Sequence, residues 1–241
     1  ALAKYEDDKL KPCYTLEEFV NSLEKPRKIL IQIMAGAPVD ETLHKLLPLL
    51  DKGDIVIDGG NSNYHDTNRR YHEMEKHGIH FIGMGVSGGE EGALNGPALM
   101  PGGDEEAYKE VAPILEAIAA KNKEGKPCVS YMGPEGAGHY VKMVHNGIEY
   151  AIMQEFSEVY SLLRDVAHKS DDEMSEIFAK WNHSVVQAYL SEITSKVLKQ
   201  KDDLTSDNII DHILNVASYK GNGSWSLEDG VFFDFRYTVI A

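Results

Sequence analysis

The chain has 241 residues, 42% of them apolar and 26% charged, a globular composition with room for one large or two smaller domains. Its formal net charge of −15 excludes broad binding to nucleic acid or anionic membranes, so an anionic ligand needs a locally basic pocket. No apolar run is long enough to span a bilayer, no signal or transit segment is read at the start, Cys13 and Cys128 form no CxxC pair, and the ten His residues show no metal-ligand spacing. A cytoplasmic protein without structural metal, membrane partner or nucleic-acid partner is expected.

Residues 1–11 read as a polar connection. Thr15 and Glu18 have the spacing of a capping box, predicting a short helix through about Leu23 that Pro26 ends. Lys28 to Met34 (KILIQIM) is nearly all apolar, the pattern of a parallel strand buried on both faces. Asp40 is expected to cap an amphipathic helix carrying Leu43, Leu46, Leu47 and Leu50. Asp54 to Ile57 is the next strand, followed by the turn Asp58-Gly59-Gly60-Asn61. The alternation continues with a helix from Thr67 to Lys76, a strand from His80 to Ile82 and a Gly-rich run from Gly83 to Gly92. A strand at Ala98 to Met100, a helix capped by Asp104 through Ala119 and a last strand at Cys128 to Tyr131 complete it. Strands alternating with helices predict an α/β fold with a mostly parallel sheet. From Ala137 the texture changes, with helices predicted over Ala137 to Ala167, Asp171 to Leu198 and Asp207 to Lys220. The sequence therefore divides into an α/β domain over 1–135, an all-α domain over 136–225 and a divergent apolar tail over 226–241.

Gly83, Gly85 and Gly88 match GxGxxG after a strand. Three readings stand: a dinucleotide fingerprint, a turn needing positive φ, and a substrate loop. The continuation Gly88-Gly89-Glu90-Glu91-Gly92 is not the small apolar helix start of a fingerprint, and no acidic residue ends a following strand at the usual distance. The substrate loop is preferred, with Ser87 offering a hydroxyl and Gly88 and Gly89 letting backbone amides approach an anion. Asn61, beyond the end of a strand, is either a turn residue in left-handed conformation or a bridge between ligands.

Lys142, His145, Asn146 and Glu149 lie at i, i+3, i+4 and i+7, one face of a helix, with the outer two roughly 10 Å apart along the axis. By spacing alone a solvated face is the simpler account. Against it, His and Asn are weak helix formers, and Gly147 costs about 1 kcal/mol in a helix interior. A ligand-facing helix explains them better. Lys and Glu at two ends of one face suit two proton transfers at different substrate atoms.

Four motifs now combine: IDGGN (Ile57 to Asn61), GVSGGEEGA (Gly85 to Ala93), GPxxMPGG (Gly96 to Gly103) and GAGHYVKMVHNGIEY (Gly136 to Tyr150). Together they resemble 6-phosphogluconate dehydrogenase, from about Lys11 to Trp225. His145 and Glu149 separate that pattern from β-hydroxyacid dehydrogenase relatives. The resemblance implies a Rossmann-like domain followed by an all-α domain, with NADP as cofactor, 6-phosphogluconate as substrate and a homodimer as the assembly. It implies that Lys142 is the general base at the substrate 3-hydroxyl. The β-keto acid then loses carbon dioxide, and Glu149 protonates carbon 1 of the enediol to give ribulose 5-phosphate in the pentose phosphate pathway. It assigns Asn61, Ser87, Gly88, Gly89, His145 and Asn146 to the sugar acid, and Tyr150 and Lys220 to its phosphate. Ile33, Met34, Ala35 and Asn61 fall on the cofactor side.

Three departures accompany the resemblance. The family's first βαβ unit, with its GxGxxG turn and 2′-phosphate-reading Asn-Arg-Thr motif, has no counterpart here. Met34 stands where the family usually has Lys, and the match stops after Gly223-Ser224-Trp225. An N- and C-terminally truncated pair of domains is thus expected, and the isolated chain is expected to be impaired or inactive. Two other readings remain at this stage: a non-catalytic remnant keeping a phosphosugar pocket or dimer surface, and a β-hydroxyacid dehydrogenase.

Overall fold

The computed structural model describes residues 10–214, 216 and 221–234. The chain forms two compact units, Ala1–His145 and Asn146–Ala241. The first is α/β and the second helical, the predicted order of classes.

In the first unit, Thr15 caps α1 (Leu16–Asn21) by accepting from the Glu18 amide. The Glu18 carboxylate accepts from Tyr14 rather than from Thr15, so the box is offset by one residue. The sheet has the order β1-β2-β3-β4. Strands β1 (Lys28–Ile31), β2 (Ile55–Asp58) and β3 (His80–Ser87) are parallel, and β4 (Ala98–Gly103) returns antiparallel to β3. Helices α2 (Ala37–Leu46), α3 (Tyr64–Lys76), α4 (Gly89–Asn95) and α5 (Glu105–Ile118) fill the connections.

Alternation along the strands distributes the core onto two faces. Ile29, Ile31, Val56 and Phe81 pack with Val39, Leu43, Leu46 and Met74 of α2 and α3. Ile55, Ile57, Ile82 and Met84 pack with Ala107, Val111 and Leu115 of α5. This corrects the expectation of a doubly buried first strand. Leu30 lies on the opposite face from Ile29 and Ile31, on the strand that ends the sheet order, and is 49% exposed. Sheet pairing also stops at Ile31, so Gln32 to Met34 belong to a loop.

Other differences have local causes. Asp40 does not cap α2. Gly36, at φ 90°, opens that helix with Pro38 in its first turn, and the Asp40 carboxylate is drawn instead to Arg69 and Arg70. Asn63 caps α3, which begins at Tyr64, three residues before the expected start. Strand β3 runs five residues past Ile82, because antiparallel pairing with β4 continues to Ser87 opposite Ala98. Cys128 to Tyr131 forms only a bridge from Val129 to Leu99.

Helix α6 (Ala137–Ser161) ends in a π-helical turn, Leu162–Val166. Its beginning packs on the sheet backbone to backbone. A Cβ on Gly138 would collide with the Gly83 and Met100 carbonyl oxygens and lie 2.6 Å from the Gly102 nitrogen.

In the second unit the predicted helix from Asp171 to Leu198 is two, α7 (Asp171–Trp181), capped by a Ser170–Glu173 box, and α8 (Tyr189–Lys199). They lock through reciprocal bonds, with Ser175 Oγ on the Ser195 carbonyl at 2.7 Å and Ser195 Oγ on the Ser175 carbonyl at 3.0 Å. Met174, Phe178 and Leu198 form the core, flanked by Phe156, Val159 and Tyr160. Of the helix predicted over Asp207 to Lys220, a 3₁₀ turn at Ile209–Asp211 is present. Residues 215 and 217–220 lie outside the described residues. Helix α9 (Asn222–Phe232) covers the junction with the predicted tail.

Gly138→Ala should destabilise the first unit by about 1–3 kcal/mol or more, the range for overpacking, because the colliding atoms are backbone. Urea denaturation followed by circular dichroism measures this, with exposed Glu106→Ala as the control. A midpoint unchanged by Gly138→Ala would contradict the packing described.

Candidate functional site

Parallel strands β1, β2 and β3 deliver their loops to one edge of the sheet, the edge where open α/β folds bind ligands. Ile31 is level with Asp58, and Asp58 with Gly83. The first two loops touch, since a Cβ on Gly60 would lie 3.0 Å from the Ile33 carbonyl oxygen. Ile33 and Met34 are exposed and Ala35 is half-buried, with Asn61 half-buried beside Gly60. The four residues assigned to the cofactor side thus sit on two loops in contact.

A buried polar cluster holds these loops. The Asp58 carboxylate accepts from the Gly60 amide at 3.0 Å and the Ser62 hydroxyl at 2.6 Å, which shapes the turn presenting Asn61. Arg70, with 0% exposure, donates to both Asp40 carboxylate oxygens at 2.8 and 3.1 Å, to the Gly36 carbonyl at 3.0 Å and to Ser62 at 3.3 Å. It also stands 3.6 Å from Asp58. Hydrogen bonds from Arg70 hold the Asp40 carboxyl below the ordinary carboxylate range.

Gly83 and Gly85 lie inside β3, so the GxGxxG spacing makes no strand-to-helix turn there. Their missing side chains make room. A Cβ on Gly83 would meet the Thr67 methyl and lie 2.9 Å from His139 Nδ1. One on Gly85 would meet the Lys142 Cβ, with Lys142 Cγ at 3.1 Å. Positive φ begins after Ser87, at Gly88 (131°) and Gly89 (59°). The turn and substrate-loop readings of this segment both accommodate that geometry, because an open backbone is what each requires.

Helix α6 advances along β3 in step with it. Four helical residues rise about 6 Å and two strand residues about 6.6 Å, so Gly138 meets Gly83 and Lys142 meets Gly85. Lys142 is 7% exposed. His145, Asn146, Glu149 and Tyr150 continue on the same helix, all half-buried. In the second unit the Tyr150 ring lies against α9, with its Cδ2 3.4 Å from where a Gly223 Cβ would be. Lys220, assigned to the substrate phosphate, lies outside the described residues.

Sequence reasoning singled out neither His139 nor Arg70. Arg70 shares the buried face of α3 with Thr67 and Met74, at i, i+3 and i+7. A charge in that apolar register was the available signal. His139 is 1% exposed, and its Nδ1 lies 2.7 Å from Thr67 Oγ1. Burial pushes its pKa down, with the Asp58 charge opposing the shift and the Arg70 charge adding to it.

The profile of the NAD binding domain of 6-phosphogluconate dehydrogenase matches residues 1–133, and that of the 6-phosphogluconate dehydrogenase C-terminal domain matches residues 138–241. The chain belongs to the 6-phosphogluconate dehydrogenase family. It is 56% identical over 229 residues to a decarboxylating 6-phosphogluconate dehydrogenase of Lactococcus lactis, covering 95% of this chain and 48% of that protein. It is 55% identical over 227 residues to an NADP(+)-dependent, decarboxylating member from Bacillus subtilis, covering 94% and 48%. The chain thus spans about half the length of the curated relatives it matches. Among solved structures, the Plasmodium falciparum 6-phosphogluconate dehydrogenase, studied in apo form and with NADP+ or 6-phosphogluconate, superposes with a TM-score of 0.88. That match has 43% identity and covers 94% of this chain and 48% of the other. A 3-hydroxyisobutyrate dehydrogenase from Salmonella typhimurium, at 17% identity and TM-score 0.70, shares the fold, covering 88% of this chain and 70% of that one. No helix among the described residues is long and apolar enough to cross a membrane.

The depressed pKa of His139 has a consequence for stability. In the unfolded chain this imidazole takes up a proton as pH falls through about 6.5, while in the folded chain it stays neutral to lower pH. The unfolded state then binds more protons, so stability falls with falling pH, by at most about 1.4 kcal/mol per pH unit from this group. His139→Asn should flatten the stability profile in the interval just below about pH 6.5. Urea titrations across that interval measure it, and an unchanged slope would mean His139 is charged in the fold.

Proposed function

We propose that the protein to which this chain belongs catalyses oxidative decarboxylation of 6-phosphogluconate to ribulose 5-phosphate with NADP, in the pentose phosphate pathway. The observation that carries the proposal is the seating of buried Lys142 on Gly85, two residues before Ser87-Gly88-Gly89. A buried lysine whose stem packs on the strand that leads into Ser87 and an open glycine backbone suits a proton transfer at a substrate alcohol. Family membership and the printed activities of the relatives from Lactococcus lactis and Bacillus subtilis support the same reading.

Lys142 is assigned as the base for the 3-hydroxyl proton. Ser87, Gly88, Gly89, Asn61, His145 and Asn146 hold the sugar acid, with Tyr150 and Lys220 on its phosphate. Once the carboxylate is lost, Glu149 supplies the proton to carbon 1. On the cofactor side, Ile33 and Met34 are exposed on a loop that Gly36 leaves open, with nothing within 4 Å of where its Cβ would be. Bound there against Ile33, Met34, Ala35 and Asn61, NADP would supply the hydride acceptor. We further assign 1–135 to the dinucleotide domain and 136–225 to the substrate domain, and infer a cytoplasmic homodimer.

In the full-length polypeptide, Lys142→Met and Glu149→Gln should each lower turnover by about two to four orders of magnitude, the range for general acid–base groups, with a smaller change in substrate binding. Steady-state formation of NADPH from 6-phosphogluconate, with calorimetry of the sugar acid, measures both. Near-normal turnover in both variants would sink the assignment.

A further inference from the structure

His139 takes no part in the proposed chemistry, yet it is among the most deeply buried side chains of the first unit. It stands at the start of α6, between residues that fix that helix from two directions. On the sheet side, Gly138 meets the backbone of β3 and β4, and Lys142 meets Gly85. On the α3 side, the Asn68 side chain accepts from the Gly136 amide at 2.7 Å, and Tyr64 meets Tyr140 edge to face at 5.0 Å. Between these contacts Thr67 and His139 form a hydrogen bond across the α3–α6 seam. Thr67 is itself held by its own helix, donating to the Asn63 carbonyl at 3.1 Å.

The contacts differ in what they constrain. Glycine against a carbonyl sets how close the helix comes, while a directional bond from a stiff ring also sets its rotation. Rotation matters because Lys142 follows His139 by three residues, close to one turn, so any roll of the helix moves both side chains together. The charged groups around the ring are Asp58 and Arg70, which already face each other, so the imidazole itself needs no ionic partner.

We propose that His139 is a positioning residue, which through Thr67 sets the rotation of helix α6 that keeps Lys142 seated on Gly85. The inference rests on the assignment of Lys142 as the base. Misplacing a catalytic group by about 1 Å costs on the order of a hundredfold in rate.

The test uses His139→Leu, which fills the space without a polar atom, His139→Asn, which keeps one at the Nδ1 position, and Thr67→Val. In the full-length polypeptide, well below each variant's melting temperature, His139→Leu should lower kcat about ten- to hundredfold with KM for 6-phosphogluconate little changed. His139→Asn should recover most of that loss, and Thr67→Val should show a smaller loss of the same kind. Equal losses in the Leu and Asn variants, or a loss carried by KM, would overturn the proposal. If His139→Leu does not fold, Thr67→Val and His139→Asn decide the question, and wild-type kcat in Thr67→Val overturns it. An arm independent of turnover labels the chain with trinitrobenzenesulfonate and reads Lys142 against exposed Lys109 by peptide mass spectrometry. Thr67→Val and His139→Leu should speed labelling of Lys142 several-fold, and His139→Asn should not. Unchanged labelling in all three overturns the proposal, whereas a wild-type enzyme inactive on 6-phosphogluconate overturns only the functional assignment.

Discussion

The first unit depends on a close approach of backbones. Three glycines, Gly83, Gly102 and Gly138, let the first turn of α6 lie directly on the peptide planes of β3 and β4. Side chains between a helix and a sheet normally keep them about 10 Å apart. Removing them brings the helix in until its atoms meet carbonyl oxygens. At that separation neither partner can slide without collision, so the helix inherits the register of the strand. Lys142 is placed by this fit and not by a flexible loop, a precision that functional groups need.

Burial of charge in this unit follows from the same compactness. Arg70, Asp58 and Asp40 lie where loops after two parallel strands converge on α3, and a single guanidinium serves both carboxylates and the Gly36 carbonyl. A buried charge must be paired or it is costly. Here pairing coincides with shape, since the bonds tie the loop at Gly36, the first turn of α2 and the end of β2 to α3. The polar cluster and the exposed loop residues Ile33, Met34 and Asn61 are therefore parts of one arrangement. The loops can remain open to solvent because their anchors are not.

Much of this was legible from residue pattern. The alternation of strands and helices, Asp104 as the cap of α5, and the stripe from Lys142 to Glu149 on a continuous helix all follow from local rules that tertiary contacts leave intact. What escaped depended on neighbours distant in sequence. The run KILIQIM looks doubly buried until one knows that β1 ends the strand order and leaves Leu30 49% exposed. Asp40 looks like a cap because its better partner, Arg70, lies 30 residues away. The glycines of β3 looked like a loop because the residues that fill their missing side chains, Thr67, His139 and Lys142, come from α3 and α6. The break between α7 and α8 carries no Gly or Pro, so local propensity did not announce it.

The shared guanidinium of Arg70 also shapes how this protein can change over evolutionary time. Replacing Arg70 alone leaves the fully buried Asp58 carboxylate with only the Gly60 amide and the Ser62 hydroxyl, and leaves Asp40 with Arg69 alone. Replacing either acid alone leaves the arginine with one anchor fewer, in a place water does not reach. Each single step costs stability, although a coordinated exchange for well-packed apolar residues need not. The cluster is therefore an epistatic knot. In lineages that diverge freely at the exposed loops around it, these three positions should persist or depart together.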